Sequence, residues 1–188
     1  MPLTDDKSAL RRKVREAFPG GEARDAQSRA LCDIAAAWEP FRQAQVIAAY
    51  MPLPREADVT PLMRLILAQG RTLVLPRCED AGVMTFRRVD RLEALPKGRW
   101  GFPEPAENAP VVPPEQVDLI LVPLEAIDPR GMRLGKGGGY YDRILCRTDA
   151  LTLGAALSHQ FVGHVPAERH DIPLHAVVSA AGVQIFDQ

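Results

Sequence analysis

DLILVPLEAIDPRGMRLGKGGGYYDRIL, residues 118–145, decides the architecture of this chain. Its first part, DLILVP (118–123), is an apolar run behind one aspartate, which predicts a strand buried on both faces. Its last part, YYDRIL, predicts a helix that begins near Tyr140 and carries an aspartate in its first turn. Between them RLGKGGG (133–139) holds four glycines in seven residues. A strand, a glycine-rich loop and a helix begin a strand–helix–strand unit, and the flanking sequence continues the alternation.

Upstream, Leu10, Val14 and Phe18 recur at helical spacing over residues 4–18, with Thr4 or Asp5 available as a cap. A second helix is expected over 22–38, stopping near Pro40. VIAAYM (46–51) and TLVLP (72–76) are short apolar runs of the buried-strand kind, with an amphipathic helix expected between them over 58–69. MTFRRV (84–89) alternates like a strand with one solvated face. Residues 90–116 are rich in proline and turn residues and read as one long surface excursion. LTLGAAL (151–157), HAVVS (175–179) and VQIF (183–186) read as closing strands. The fold predicted is α/β, a single-domain layered sandwich over residues 1–188, with a largely parallel (mixed) central sheet flanked by helices.

A length of 188 residues suits one domain with a sizeable core, and 46% hydrophobic with 25% charged residues is an ordinary globular balance. A net charge of −1 argues against nucleic acid or an anionic membrane as partner. The N-terminal MPLTDDKSALRRK has no apolar h-region, and no window has the length of a membrane span. Cys32, Cys78 and Cys146 are scattered and form no CxxC pair, so free thiols in a reducing, cytoplasmic compartment are expected. His159, His164, His170 and His175 crowd the C-terminal region, but their spacing matches no standard zinc pattern.

Loops at the carboxyl ends of parallel strands are where such sheets bind ligands. Glycines let successive backbone N–H groups converge, and the following helix adds a positive dipole end, so the run suits an anion and above all a phosphate. Arg133 and Lys136 add full charge, which weighs against a ligand-free glycine turn. The run is not a Walker loop: Gly131 is followed by three residues before Gly135-Lys136, and glycine stands where a hydroxyl residue is needed. The dinucleotide pattern also fails, because Tyr140 occupies its third glycine position. By residue type alone Asp142 reads first as a complement to the helix dipole, and second as a ligand for Mg²⁺ beside bound phosphates. By residue type alone Lys7 and Arg11, one turn apart, read first as solvated helix charges, and second as a pair that can reach one polyphosphate.

The segment VPLEAIDPRGMRLGKGGGYYDR (122–143) resembles the signature of the 5-formyltetrahydrofolate cyclo-ligase (methenyltetrahydrofolate synthetase) family. Lys7 and Arg11, Glu56, WGFPEP (100–105) and RHDIP (169–173) follow the family's order, so the resemblance spans nearly the whole chain. It implies an ATP-dependent ligase that closes 5-formyltetrahydrofolate, possibly polyglutamylated, to 5,10-methenyltetrahydrofolate with release of ADP and phosphate. Mg²⁺ is implied as cofactor. It further implies Arg133 and Lys136 as catalytic residues. ATP would be bound by Lys7, Arg11, Arg133, Gly135, Lys136, Gly137, Gly138, Gly139, Tyr140 and Tyr141. The folate would meet Met51, Glu56, Trp100 and Tyr140, and Asp142 and Asp171 would hold the metal. Glu125, Ile127 and His175 depart from the family's usual residues. A monomer or weak homodimer is expected. A non-catalytic folate- or nucleotide-binding paralogue is the competing reading, and a sugar-phosphate isomerase on a similar sheet is a third.

Overall fold

The computed structural model describes residues 3–79, 83–98, 101–168 and 171–187. Trp100, Arg169 and His170 therefore lie outside the described residues, and so do the side chains of the cap candidates Thr4 and Asp5. Helix α1 (Leu3–Glu16) is followed by α2 (Gly21–Ala37) and the short α3 (Glu39–Gln43), then strand β1 (Val46–Ala48). Helix α4 (Thr60–Ala68) leads into β2 (Thr72–Cys78) and β3 (Met84–Val89). After the excursion come β4 (Val111–Val112), β5 (Leu119–Val122), and a small hairpin of β6 (Ala126–Ile127) and β7 (Arg133–Leu134). Helix α5 (Tyr140–Leu145), β8 (Leu151–Ala155), β9 (Ala176–Ser179) and β10 (Gly182–Ile185) complete the chain.

Eight strands form one mixed sheet in the order β10-β9-β8-β5-β1-β2-β3-β4. The neighbours from β9 through β8, β5 and β1 to β2 pair parallel, and the outer strands β10, β3 and β4 pair antiparallel. The expected α/β sandwich is present. Alternation along each central strand explains its layers. Ile47, Leu73, Leu75, Leu119, Leu121 and Leu153 face α2, α3 and α4, where Leu31, Phe41, Leu62, Met63 and Ile66 are fully buried. Ala48, Val74, Ile120, Val122 and Val177 face the other way, onto Ile144 and Leu145 of α5 and Leu174. Both faces of the sheet are thus covered, as continuous apolar runs require.

One expectation is corrected, and one element was not expected. VIAAYM pairs only through Ala48, with one further bond from Ala49 N to Val74 O, before the chain turns away and Tyr50 donates its hydroxyl hydrogen to Ala57 O. The second helix does stop before Pro40, at Ala37, and proline then occupies the first turn of the separate α3, where a missing N–H costs nothing. The β6–β7 hairpin stands between β5 and the glycine run and has no counterpart in the sequence reading. Its two-residue strands are too short to show a period, and a buried aspartate closes it. Asp128 accepts the backbone N–H groups of Arg130, Met132 and Val165 and pairs with the Arg130 guanidinium at 2.6 Å. Gly131 turns the tip at φ +78°, and a Cβ there would lie 2.8 Å from Leu174 O. Val14 of α1 packs on this hairpin through Ala126 and Leu134. Among the described residues no helix is long and apolar enough to cross a membrane.

Candidate active site

The glycine run leaves β7 and enters α5 on the carboxyl-end side of the parallel strands. Gly137 and Gly139 have φ of +102° and +63°, a region closed to most side chains, so the loop needs glycine there. Gly139 is the residue from which α5 starts. Arg143, one turn along α5, returns a hydrogen bond to Gly138 O at 2.7 Å and lies over the Tyr140 ring. Loop and helix are therefore a single folded unit.

Helix α1 lies against the loop with its basic stripe. Lys7, Arg11 and Arg15 are spaced by four residues and so share a face. Lys7 Nζ contacts Asp171 at 2.7 Å and Glu168 at 3.4 Å. Arg11 Nε donates to Gly135 O at 2.8 Å, and its guanidinium passes over Gly137. Arg15 grips Glu125 with Nε to Oε2 at 3.1 Å and Nη2 to Oε1 at 2.9 Å. Burial works against the Lys7 charge, but the hydrogen bond and charge of Asp171 outweigh it and raise the Lys7 pKa. The Arg15–Glu125 contact escaped the sequence reading. Its signal was the third basic residue at the same four-residue interval.

Arg133 of β7 is nearly buried and donates to Asp142 Oδ1 at 2.6 Å and to Ile172 O at 2.5 Å. Lys136 reaches Glu56 Oε1 at 2.8 Å, and Glu56 Oε2 accepts Leu53 N–H at 2.8 Å. Arg24 of α2 holds the Glu56 backbone oxygen at 2.7 Å. Met51, beside this loop, is half-buried against the main core. Three cation–carboxylate pairs result, Lys7–Asp171, Arg133–Asp142 and Lys136–Glu56, of which the first and third join candidate residues from distant parts of the chain. Tyr141 presents a buried hydroxyl with no hydrogen-bond partner among the described residues. Burial pushes its pKa far up, Glu56 adds to the rise and Arg133 opposes it, so it is a protonated donor.

Magnesium generally takes one or two carboxylates and completes its shell with phosphate oxygens and water. Among the described residues the hydrogen bonds to Asp142, from Arg133 and from Ile172 N–H, fall on Oδ1. Asp171 Oδ2 is held by Lys7 and by Glu168 N–H. No cluster of three or more potential ligands occurs among the described residues. The set therefore fits a cation shared with a polyphosphate, not an all-protein cage. The departures from the family pattern are accommodated locally. Glu125 is used by Arg15, Ile127 is buried in the core, and His175 Nδ1 lies 2.8 Å from the Thr152 hydroxyl.

The family model described as the 5-formyltetrahydrofolate cyclo-ligase family matches residues 4–180. The chain belongs to that family. The 5-formyltetrahydrofolate cyclo-ligase of Escherichia coli K12 is 32% identical over 152 residues, covering 78% of this chain and 84% of that protein. The mouse cyclo-ligase is 25% identical over 187 residues and covers 92% of each. Among solved structures, the NMR structure of 5,10-methenyltetrahydrofolate synthetase from Aquifex aeolicus superposes with a TM-score of 0.86 at 34% identity, over 97% of this chain and 93% of that one. The Mycoplasma pneumoniae synthetase gives a TM-score of 0.75 at 22% identity and bears on the fold alone. Membership makes the chain a ligase of folate one-carbon metabolism.

Proposed function

We propose that the chain cyclises 5-formyltetrahydrofolate to 5,10-methenyltetrahydrofolate at the expense of ATP. The observation that supports this best is the gathering of Arg11, Arg133 and Lys136 at one glycine loop, with Glu56 beside it and Lys7 on the same face of α1 as Arg11. The chemistry needs little more. A formamide oxygen leaves poorly, so it first attacks the γ-phosphorus and the bond to ADP breaks. The N10 lone pair then attacks the activated carbon, N10 gives up its proton, and the C–O bond breaks as phosphate departs. Phosphoryl transfer of this kind depends on positioning and charge neutralisation more than on a protein nucleophile.

Lys7, Arg11, Arg133 and Lys136 would neutralise the triphosphate, and the backbone N–H groups of Gly135 and Gly137 to Tyr141 would cradle it. Asp142 and Asp171 would hold Mg²⁺, which supplies charge neutralisation between the phosphates. Glu56 accepts the pterin's N–H donors, Met51 and Tyr140 pack the folate, and Tyr141 offers its hydroxyl to the ligand. Trp100 would contact the folate as well. The direct test follows absorbance of methenyltetrahydrofolate formed from 5-formyltetrahydrofolate with and without ATP. Product that appears only with ATP, with stoichiometric ADP, is expected; binding of both ligands without turnover would overturn the enzyme reading.

A further inference from the structure

The Lys136–Glu56 pair differs in kind from the other two. Lys7–Asp171 and Arg133–Asp142 each join groups directed at the nucleotide and its cation, whereas Lys136 belongs to the phosphate loop and Glu56 to the folate pocket. The inference rests on that reading of the two residues. Both Glu56 oxygens are engaged, Oε1 by the Lys136 ammonium at 2.8 Å and Oε2 by Leu53 N–H at 2.8 Å. A carboxylate oxygen can accept a second N–H, so Leu53 need not yield to a ligand. The ammonium must, because it puts a positive charge where a pterin's N–H donors have to approach.

The two partners are unequally held. Glu56 is almost fully buried and its backbone is anchored by Arg24, whereas the Lys136 side chain is 42% exposed on a loop of glycines. Lys136 is therefore the partner that moves. The ammonium end of the pair is open to water, so Lys136 can leave without Glu56 moving, provided that a ligand donor replaces it at the buried carboxylate.

We propose that Glu56 is also the positioning residue for Lys136. In the free protein it holds the ammonium over the folate pocket. Bound folate takes Oε1 and releases Lys136 to the nucleotide's phosphates. Folate thereby tightens nucleotide binding, and linkage requires the nucleotide to tighten folate by the same factor.

Calorimetric titration with β,γ-methylene-ATP and Mg²⁺, with and without saturating 5-formyltetrahydrofolate, tests the coupling. Wild type should bind the analogue about fivefold or more tightly when folate is present, a usual size for coupling between sites. Lys136→Ala should abolish the difference and, lacking the competitor, bind folate alone more tightly than wild type. Glu56→Gln should bind the analogue without folate more tightly than wild type, an effect that a merely structural role for Glu56 would not produce. Lys136→Arg should retain the coupling. Equal nucleotide affinities with and without bound folate in wild type would overturn the proposal while leaving the ATP-dependent assay untouched. Failure to bind 5-formyltetrahydrofolate at all would instead remove the reading beneath it.

Discussion

At the residue scale, Tyr141 and Asp142 are adjacent in α5 and make opposite predictions. The Tyr141 hydroxyl is buried without a partner among the described residues, which costs stability in the free protein. Tyr141→Phe should leave the melting temperature unchanged or raise it, by up to about 1 kcal/mol of stability. If the hydroxyl is a ligand donor, kcat/KM should fall in the same variant. A variant that is both less stable and fully active would show that the hydroxyl has a structural partner in solution. Asp142→Asn keeps an acceptor for Arg133 but removes a negative charge beside the triphosphate. Turnover should collapse at low Mg²⁺ and recover partly with excess, while the melting temperature falls because the nearly buried Arg133 keeps a hydrogen bond but loses its counter-charge. Wild-type rates across a Mg²⁺ titration would return Asp142 to the helix-dipole role.

At the scale of elements, the site depends on how α1 is docked. Three of its side chains reach three different segments: Lys7 the 168–171 segment, Arg11 the glycine loop and Arg15 the start of the hairpin. Arg15 is 43% exposed and touches no candidate ligand group. An ion pair so exposed contributes roughly 0.2–1 kcal/mol, so Arg15→Ala should shift the melting temperature little. It is nonetheless one of the contacts that orient α1, and so the direction of Lys7 and Arg11. ATP KM should therefore rise several-fold while folate KM stays close to wild type, in steady-state kinetics with each substrate varied. An unchanged ATP KM would mean that α1 docks independently of Arg15.

Across the whole molecule, pH should define the window in which these contacts hold. Burial raises the Asp128 carboxyl, but the Arg130 bond and the N–H groups of Val165 and Arg130 outweigh it, so its folded pKa lies below the ordinary value. Its contribution is present above the unfolded value, about pH 4, and is lost as pH falls through the lower folded value. Lys7 is raised, so its contribution is complete below the unfolded value, about pH 10.4, and is lost as pH rises through the folded one. Thermal melts should fall on the acid side, and Asp128→Asn should be less stable at pH 7 with a shallower acid limb. An unchanged acid limb would remove Asp128 from the cause. The apolar runs at 46–51, 72–76 and 118–123, their alternation with helices and the glycine loop were legible in the sequence, because period and turn chemistry are local properties of neighbouring residues. So was the family, since its signature is contiguous. The β6–β7 hairpin, the hold of Arg15 on Glu125, and the pairing of Lys136 with Glu56 and Lys7 with Asp171 were decided only by the tertiary structure. Ion pairs across 80 or 164 residues leave no local trace: any basic side chain can meet any acidic one, and only folding brings the loop after β1, helix α1 and the glycine loop together at the carboxyl ends of the central strands, where the partner of each charge is the one within reach.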